Sequence, residues 1–555
     1  MLFRSQKTIE NRYPNANKEL TSKFYEIYLG MKDAKETGKD SIWKFILQNT
    51  YKPFFLKNKF DYIIGNPPWF TYSSIKNAEY QAMLKALADR YNVTPEKKAN
   101  MPHLEIAAIF MSHCSKYLLR QNGRLAFVLP RSFLSAEHHD NTRSGKSAGF
   151  ALTEIWDLDD VQPLFNVPSC VLFAQTALKR TEPGTAGLTG RSYKGRPRQH
   201  NATYAAVQDR VSFVENRWFY TKLQQASAYT TNADAGGASG ENFYKKHFRQ
   251  GATIVPRNFY FIDIEGAAPK DWHDREISVR SSEANEKDGK EPWKSLKLSG
   301  RINTKYLFRT AIAKNILPFG MVAPPLVVLP IEIERKAHHK GGGFYVQTPK
   351  ILTPEKIEEK GDLETAKWFR EVEKIWNKHK TENNTKITSW DYLNWQNKLT
   401  EQNIDKKFIV LYSASSTDAN SFVTQQGILD LTFISESKGY SFYTNIANEA
   451  YFLCSFLNSN TPNLIIKDFQ TKGLFGFRDI HKRILDVPLP KYDEGNEVHV
   501  KIAEMGKKCS EVVRGYIKTA NLATKEYNVG KERSLIRKLL FEELKTIDGL
   551  LLEVM

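Results

Sequence analysis

An amide, two prolines and an indole stand side by side at Asn66-Pro67-Pro68-Trp69, and together they suit the handling of a flat, amine-bearing ring. The Asn66 amide oxygen and the Pro67 carbonyl can each accept a hydrogen bond from an exocyclic NH2, and Trp69 can stack on the ring that carries it. Each proline fixes φ, lacks an N–H, and pushes the residue before it into an extended conformation, so the turn is stiff. The plainer use of the same residues is an ordinary proline turn after a strand.

Several elements must position this loop. Phe60 to Ile64 is an apolar run with β-branched residues that predicts a short buried strand, ended by Gly65. Residues 1–58 are mixed and polar, with helical stretches at Leu20–Met31 and Ile42–Gln48. After the loop, Ala82–Leu87 reads as helix and Asn92–Pro95 as a break. His103 to Leu119 then carries Leu104, Ala107, Ala108, Met111, Tyr117 and Leu118 at helical spacing, with Gln121-Asn122-Gly123 as the expected C-cap. Arg124–Pro130 predicts a second buried strand. Leu152–Asp157 and Cys170–Gln175 predict two more, joined through Leu164-Phe165-Asn166-Val167-Pro168.

Asn66-Pro67-Pro68-Trp69, preceded by Phe-Asp-Tyr-Ile-Ile-Gly, resembles the catalytic motif of amino-group DNA methyltransferases that make N6-methyladenine. The helix, Asn-Gly and strand ending Leu129-Pro130 resemble the segment after that loop, and Val167 to Leu172 resembles a later one. The likeness is to large gamma-type adenine methylases, as in type IIG restriction-modification and phage-defence enzymes. It implies an α/β fold: a partial Rossmann-like methyltransferase domain using S-adenosylmethionine (SAM), then an α+β target-recognition domain and C-terminal helices. It also implies catalytic roles for Asn66, Pro67, Pro68 and Trp69, the last where Tyr or Phe is more usual. A complete enzyme of this kind carries a Gly-rich strand-to-helix turn for SAM well before the loop. Only 65 residues precede Asn66, and Gly30 and Gly38 form no such turn. The chain is therefore expected to begin at the second half of the catalytic domain, with a companion chain supplying the SAM-binding half. No cofactor-binding residue is assigned beyond Asn66 and Pro67 at the pocket's edge.

Composition points the same way. With 80 Lys and Arg against 62 Asp and Glu the net charge is +18, which favours a polyanionic partner, nucleic acid first. The hydrophobic content of 41% rules out wholesale disorder. Four scattered cysteines suggest neither zinc site nor disulfide framework and fit a reducing cytoplasm. No apolar run is long enough to cross a membrane, and the N-terminus has no signal-peptide pattern.

Expected boundaries are 1–182 for the catalytic part, 183–240 for a basic connector, 241–495 for target recognition and 496–555 for terminal helices. In the connector, Arg191, Lys194, Arg196 and Arg198 among glycines suit phosphate contacts, or simply a solvated linker. In the recognition half, Gln250–Phe261, Leu326–Ile331 and Phe408–Leu411 read as strands, and 354–382 as helix with few apolar anchors. Arg257 is a further DNA-contact candidate. A Gly-Phe loop at 473–477, with Phe475, leads to Arg478, His481, Lys482 and Arg483, which can reach phosphates and base edges or cover a domain seam. Residues 497–520 and 531–552 read as two terminal helices.

Two other patterns carry less. Glu137-His138-His139-Asp140 has metal-ligand types but reads as a polar loop beside the active site, and no metal is expected. Glu334-Arg335-Lys336 and Glu543-Leu544-Lys545 match a Glu-x-Lys nuclease pattern that is common by chance, and no nuclease is expected. The expected function is site-specific adenine-N6 methylation of double-stranded DNA with base flipping, among restriction-modification or defence-system subunits. The alternative is a non-catalytic DNA-binding subunit or an inactive truncated methylase.

Overall fold

The structure, a computed structural model, describes residues 5–38, 55–162, 164–179, 182–199, 202–235, 240–284, 291–337, 345–381, 385–473, 476–477 and 480–555. The chain divides into two compact units, Met1–Tyr220 and Thr221–Met555.

The first unit opens with helices α1 (Gln6–Arg12) and α2 (Lys18–Glu36), the latter capped where the Asn17 side chain accepts the Glu19 N–H. The expected Ile42–Gln48 helix lies outside the described residues. Strand β1 (Phe60–Gly65) is followed by α3 (Ala78–Arg90) and α4 (Ala107–His113), then by a π-helical turn at Cys114–Leu118. Then come β2 (Leu119–Pro130), β3 (Gly149–Val161), β4 (Ser169–Ala177), β5 (Leu188–Gly195) and β6 (Val211–Leu223), in which the chain passes to the second unit. The strands stand in the order β1-β2-β4-β3-β5-β6. β1 runs parallel to β2 and β3 to β5, whereas β4 is antiparallel to both β2 and β3. The C-terminal ends of β1, β2 and β3 therefore open on one edge of the sheet, where α/β sheets commonly place their sites. Side-chain alternation builds its core: Leu125, Phe127 and Leu129 from β2 and Cys170, Leu172 and Ala174 from β4 are all buried.

Two expectations for this unit change in physical terms. β1 is not buried: it ends the sheet, and Tyr62 and Ile64 are 69% and 85% exposed because no described residue covers that face. Asn122-Gly123 is not a C-cap. The helix ends before it, and the pair lies inside β2, where Asn122 takes φ 63° and the β1–β2 register slips between Phe60 and Tyr62. A local left-handed preference serves a β-bulge as well as a cap.

The second unit is α+β. β7 (Arg249–Gln250), β8 (Ile262–Ile264), β9 (Glu276–Ser281), β10 (Ser299–Asn303), β11 (Phe408–Ser413), β12 (Ser421–Gln425) and β13 (Gly439–Thr444) form two antiparallel sheets, ordered β10-β9-β8 and β12-β11-β13-β7. Helix α5 (Leu363–His379) supplies Trp368, Phe369, Val372 and Trp376 to a core with Phe259, Val279 and Ile302. It is well anchored, contrary to expectation, because its aromatic residues fall on one stripe between charged neighbours. A second core gathers Tyr412, Phe442, Ile502, Ile547 and Leu551, from the four-stranded sheet and from helices α6 (Ala447–Asn458), α7 (Glu497–Thr519), α8 (Val529–Leu539) and α9 (Phe541–Val554). The expected final helix is two, split at Leu540. The Gln250–Phe261 stretch is mostly not strand: after β7 it turns through a short helix at Arg257–Tyr260. Among the described residues no helix is long and apolar enough to cross a membrane.

Candidate active site

The Asn66 loop leaves the C-terminal end of β1 and is pinned on both sides. Gly65 pairs with Phe127 of β2, and a Cβ on Gly65 would sit 3.2 Å from the Phe127 ring. On the far side, Phe70 O accepts the Ile106 N–H at 2.9 Å and the Tyr72 N–H donates to Leu104 O at 2.8 Å, with Thr71 bridging Glu105. Between these anchors Pro67 is buried while Asn66 and Pro68 are exposed, as alternating extended residues require. Among the described residues no hydrogen bond occupies the Asn66 amide.

Trp69 is half-buried. Its indole N–H donates to Val128 O at 3.2 Å, and its ring lies 4.9 Å from that of Phe165 at 54°. Phe165 comes from the loop before β4 and is 38% exposed. At the same sheet edge, Arg131 follows β2 and grips Asp157 of β3 through Nε at 3.0 Å and Nη2 at 2.9 Å. Burial works to lower the Arg131 pKa, but Asp157 and, less strongly, Asp159 more than offset it, so the pKa is raised and the guanidinium stays charged. The amide, the two aromatic rings and this ion pair all rise from the ends of neighbouring strands.

Glu105 lies behind the loop with His138 and His139. Ser132 Oγ donates to Glu105 Oε1 at 2.8 Å, His138 Nε2 lies 3.0 Å from Oε2, and His139 Nε2 bonds the same oxygen. Burial opposes the Glu105 charge, but the two histidines overcome it and hold the carboxyl well below the usual carboxylate range. Burial pushes the His139 imidazole down to about 4, against the pull of Glu105.

The other residues singled out from the sequence fall in two groups. In the first unit Arg191, Lys194, Arg196 and Arg198 lie on β5 or just beyond it, the last three exposed. Arg191 lies 4.6 Å over the Phe213 ring and 3.5 Å from the Glu215 carboxylate. In the second unit Arg257 lies 5.6 Å over Phe261. His481 is exposed, Lys482 donates to Phe248 O at 2.9 Å, and Arg483 bonds Asp486 at 3.1 Å. Phe475 and Arg478 lie outside the described residues. Sequence reasoning did not find Glu105, Phe165 or the Arg131–Asp157 pair, whose roles arise only when distant segments meet.

Among solved structures the chain is similar to the type IIL restriction-modification enzyme MmeI in complex with DNA: 12% identity, 89% of this chain, 54% of that chain and a TM-score of 0.49. For the type IIG restriction endonuclease BpuSI the values are 11%, 90%, 55% and 0.26. For the type ISP restriction-modification enzyme LlaBIII bound to DNA they are 8%, 81%, 30% and 0.36. The chain thus spans about half the length of the first two and less than a third of the other. No curated protein matches its sequence. Residues 1–165, which hold the Asn66 loop, match the family of the Eco57I restriction-modification methylase, and it is a restriction-modification methylase that this part of the chain resembles.

Proposed function

We propose that the chain carries the target-amine site of an adenine-N6 DNA methyltransferase of restriction-modification or phage defence. The observation that carries this reading is the Asn66 amide, exposed and unoccupied on a loop pinned at both ends, beside an indole of fixed orientation. SAM would supply an electrophilic methyl group, and the described residues before the loop hold no Gly-rich turn for it. The chain's own residues act on the acceptor. A flipped adenine costs a few kcal/mol to unpair. Stacking on Trp69, with Phe165 alongside, returns about 1–3 kcal/mol. Asn66 Oδ1 and the Pro67 carbonyl would accept the two amine hydrogens and draw the nitrogen lone pair out of ring conjugation, which makes it a better nucleophile. Positioning and electrostatics do this work without a covalent enzyme intermediate.

A companion segment supplying the cofactor half is part of the proposal. The one-sided pairing of β1 and its uncovered Tyr62 and Ile64 support it. The recognition role proposed for the second unit rests on the charge of the chain and on its candidate contacts, Arg257 and His481 to Arg483.

The experiment is made in the native cells, where any companion is present. Genomic N6-methyladenine is mapped with the gene intact, deleted, or carrying Asn66→Ala. Deletion is expected to remove methylation from one recurrent sequence, and Asn66→Ala to do the same at unchanged protein level. Methylation that survives Asn66→Ala but not deletion would favour a non-catalytic DNA-binding subunit.

A further inference from the structure

Three potential ligand atoms meet behind the Asn66 loop from segments far apart in sequence. Glu105, His138 and His139 each offer one ligand atom, and these atoms all lie within 4.8 Å of one another. The position is enclosed: Glu105 is 9% and His139 1% exposed, and His138 is half-buried. It is also pre-oriented. The Phe133 ring stacks on His139 at 3.7 Å and 15°, and Ser132 Oγ holds the other carboxylate oxygen. The stack and the Ser132 bond fix the ring plane and the carboxylate rotamer, while the buried His139 Nδ1 has no hydrogen-bond partner among the described residues.

The flanking acidic residues turn elsewhere. Glu137 binds Lys97 at 3.1 Å and Asn100 at 3.2 Å, and Asp140 accepts from Tyr220 at 2.9 Å. The cluster is therefore not the four-residue run visible in the sequence. It is two imidazoles from that run and one carboxylate from a different segment. Both rings aim Nε2 at one carboxylate oxygen as hydrogen-bond donors, and with the ring proton moved to Nδ1 the same two nitrogens and that oxygen become lone-pair ligands close enough to share an ion. Two imidazoles and a carboxylate form a donor set suited to Zn2+ and related first-row ions.

We propose that Glu105, His138 and His139 bind a divalent transition-metal ion, with Zn2+ as the representative species. Its place suggests its effect. Glu105 bridges Thr71 directly after the Asn66 loop, while the two histidines belong to the segment after β2. An ion there would clamp the target-amine loop to the neighbouring strand end. The proposal does not depend on the methyltransferase reading, since binding is read without any assay of activity.

The test uses the full-length chain, stripped with a chelator and titrated with Co2+ and Zn2+. Expected are about one equivalent of tightly held ion, visible Co2+ absorption bands that Zn2+ abolishes, and a Tm raised by the ion and lowered again by chelator. His138→Gln, at the more exposed ligand, should weaken binding by at least about tenfold while the circular dichroism spectrum is unchanged. His273→Gln, at a fully solvated histidine, should change nothing. A folded chain that takes up no Co2+ and whose Tm ignores chelator would overturn the proposal and leave the cluster a hydrogen-bonded latch. Binding that survives His138→Gln undiminished would equally overturn it. Should that variant misfold, the Co2+ spectrum and Tm response of the unsubstituted chain still decide.

Discussion

Trp69 offers a donor and a face, and two substitutions separate them. Trp69→Phe keeps a stacking face but loses the bond to Val128 O. One neutral hydrogen bond is worth about 0.5–1.5 kcal/mol net, so methylation per unit time should fall about 2- to 10-fold. Trp69→Ala removes the face as well and should cost a further 1–3 kcal/mol, about 5- to 150-fold. Asn66→Ala should cost more than Trp69→Phe, about 100-fold or greater, because it removes an acceptor aimed at the reacting nitrogen. All three are read as the rate at which unmethylated target sites regain N6-methyladenine. The loop itself was legible in the sequence because its chemistry is contiguous. Glu105 was not: nothing in His103-Leu104-Glu105-Ile106 marks it, and its meaning comes from Ser132, His138 and His139 arriving beside it.

At the scale of elements, α7 shows how a helix start couples to pH. Asn496 caps it by accepting the Val498 and His499 N–H groups, and buried His499 Nδ1 accepts the Asp493 N–H at 3.1 Å. Burial lowers the His499 pKa from 6.5, with Asp493 working the other way, and a positive charge at a helix N-terminus is unfavourable as well. The folded value lies below the unfolded one. The stability this contributes is therefore fully present above about pH 6.5 and is lost as pH falls through the lower folded value. Thermal unfolding of the intact protein against that of His499→Leu, scanned from about pH 7.5 to pH 5, should show a Tm difference that shrinks with acid. A constant difference would contradict it. Element legibility followed the same logic of locality. β2, β3, β4 and β11 could be read because alternation and β-branched content are written in each strand alone. Asn122-Gly123 suits a cap and a bulge equally in sequence because a positive φ is common to both, and only the pairing of β1 with β2 distinguishes them. The anchoring of α5 is hard to see in the sequence because charged residues interrupt its aromatic stripe along the chain, though not around the helix.

For the whole molecule, the +18 charge predicts DNA affinity that falls steeply with salt. Lys194, Arg196 and Arg198 are exposed and lie close together along the chain at and beyond the end of β5. If they meet phosphates, replacing all three with Ala should lower the slope of log affinity against log salt by about 0.9 for each phosphate no longer neutralised. Fluorescence anisotropy with a labelled duplex measures this, and an unchanged slope would remove them from the interface.

The open edge of β1 also bears on how the protein behaves at the bench. A strand whose outer backbone edge pairs with no other strand among the described residues, and which carries bare Tyr62 and Ile64, is a template for another strand. Overproduced by itself, the chain should form soluble oligomers and then precipitate as its concentration rises. Ile64→Lys places a charge on that edge and should keep it dispersed, as static light scattering would show.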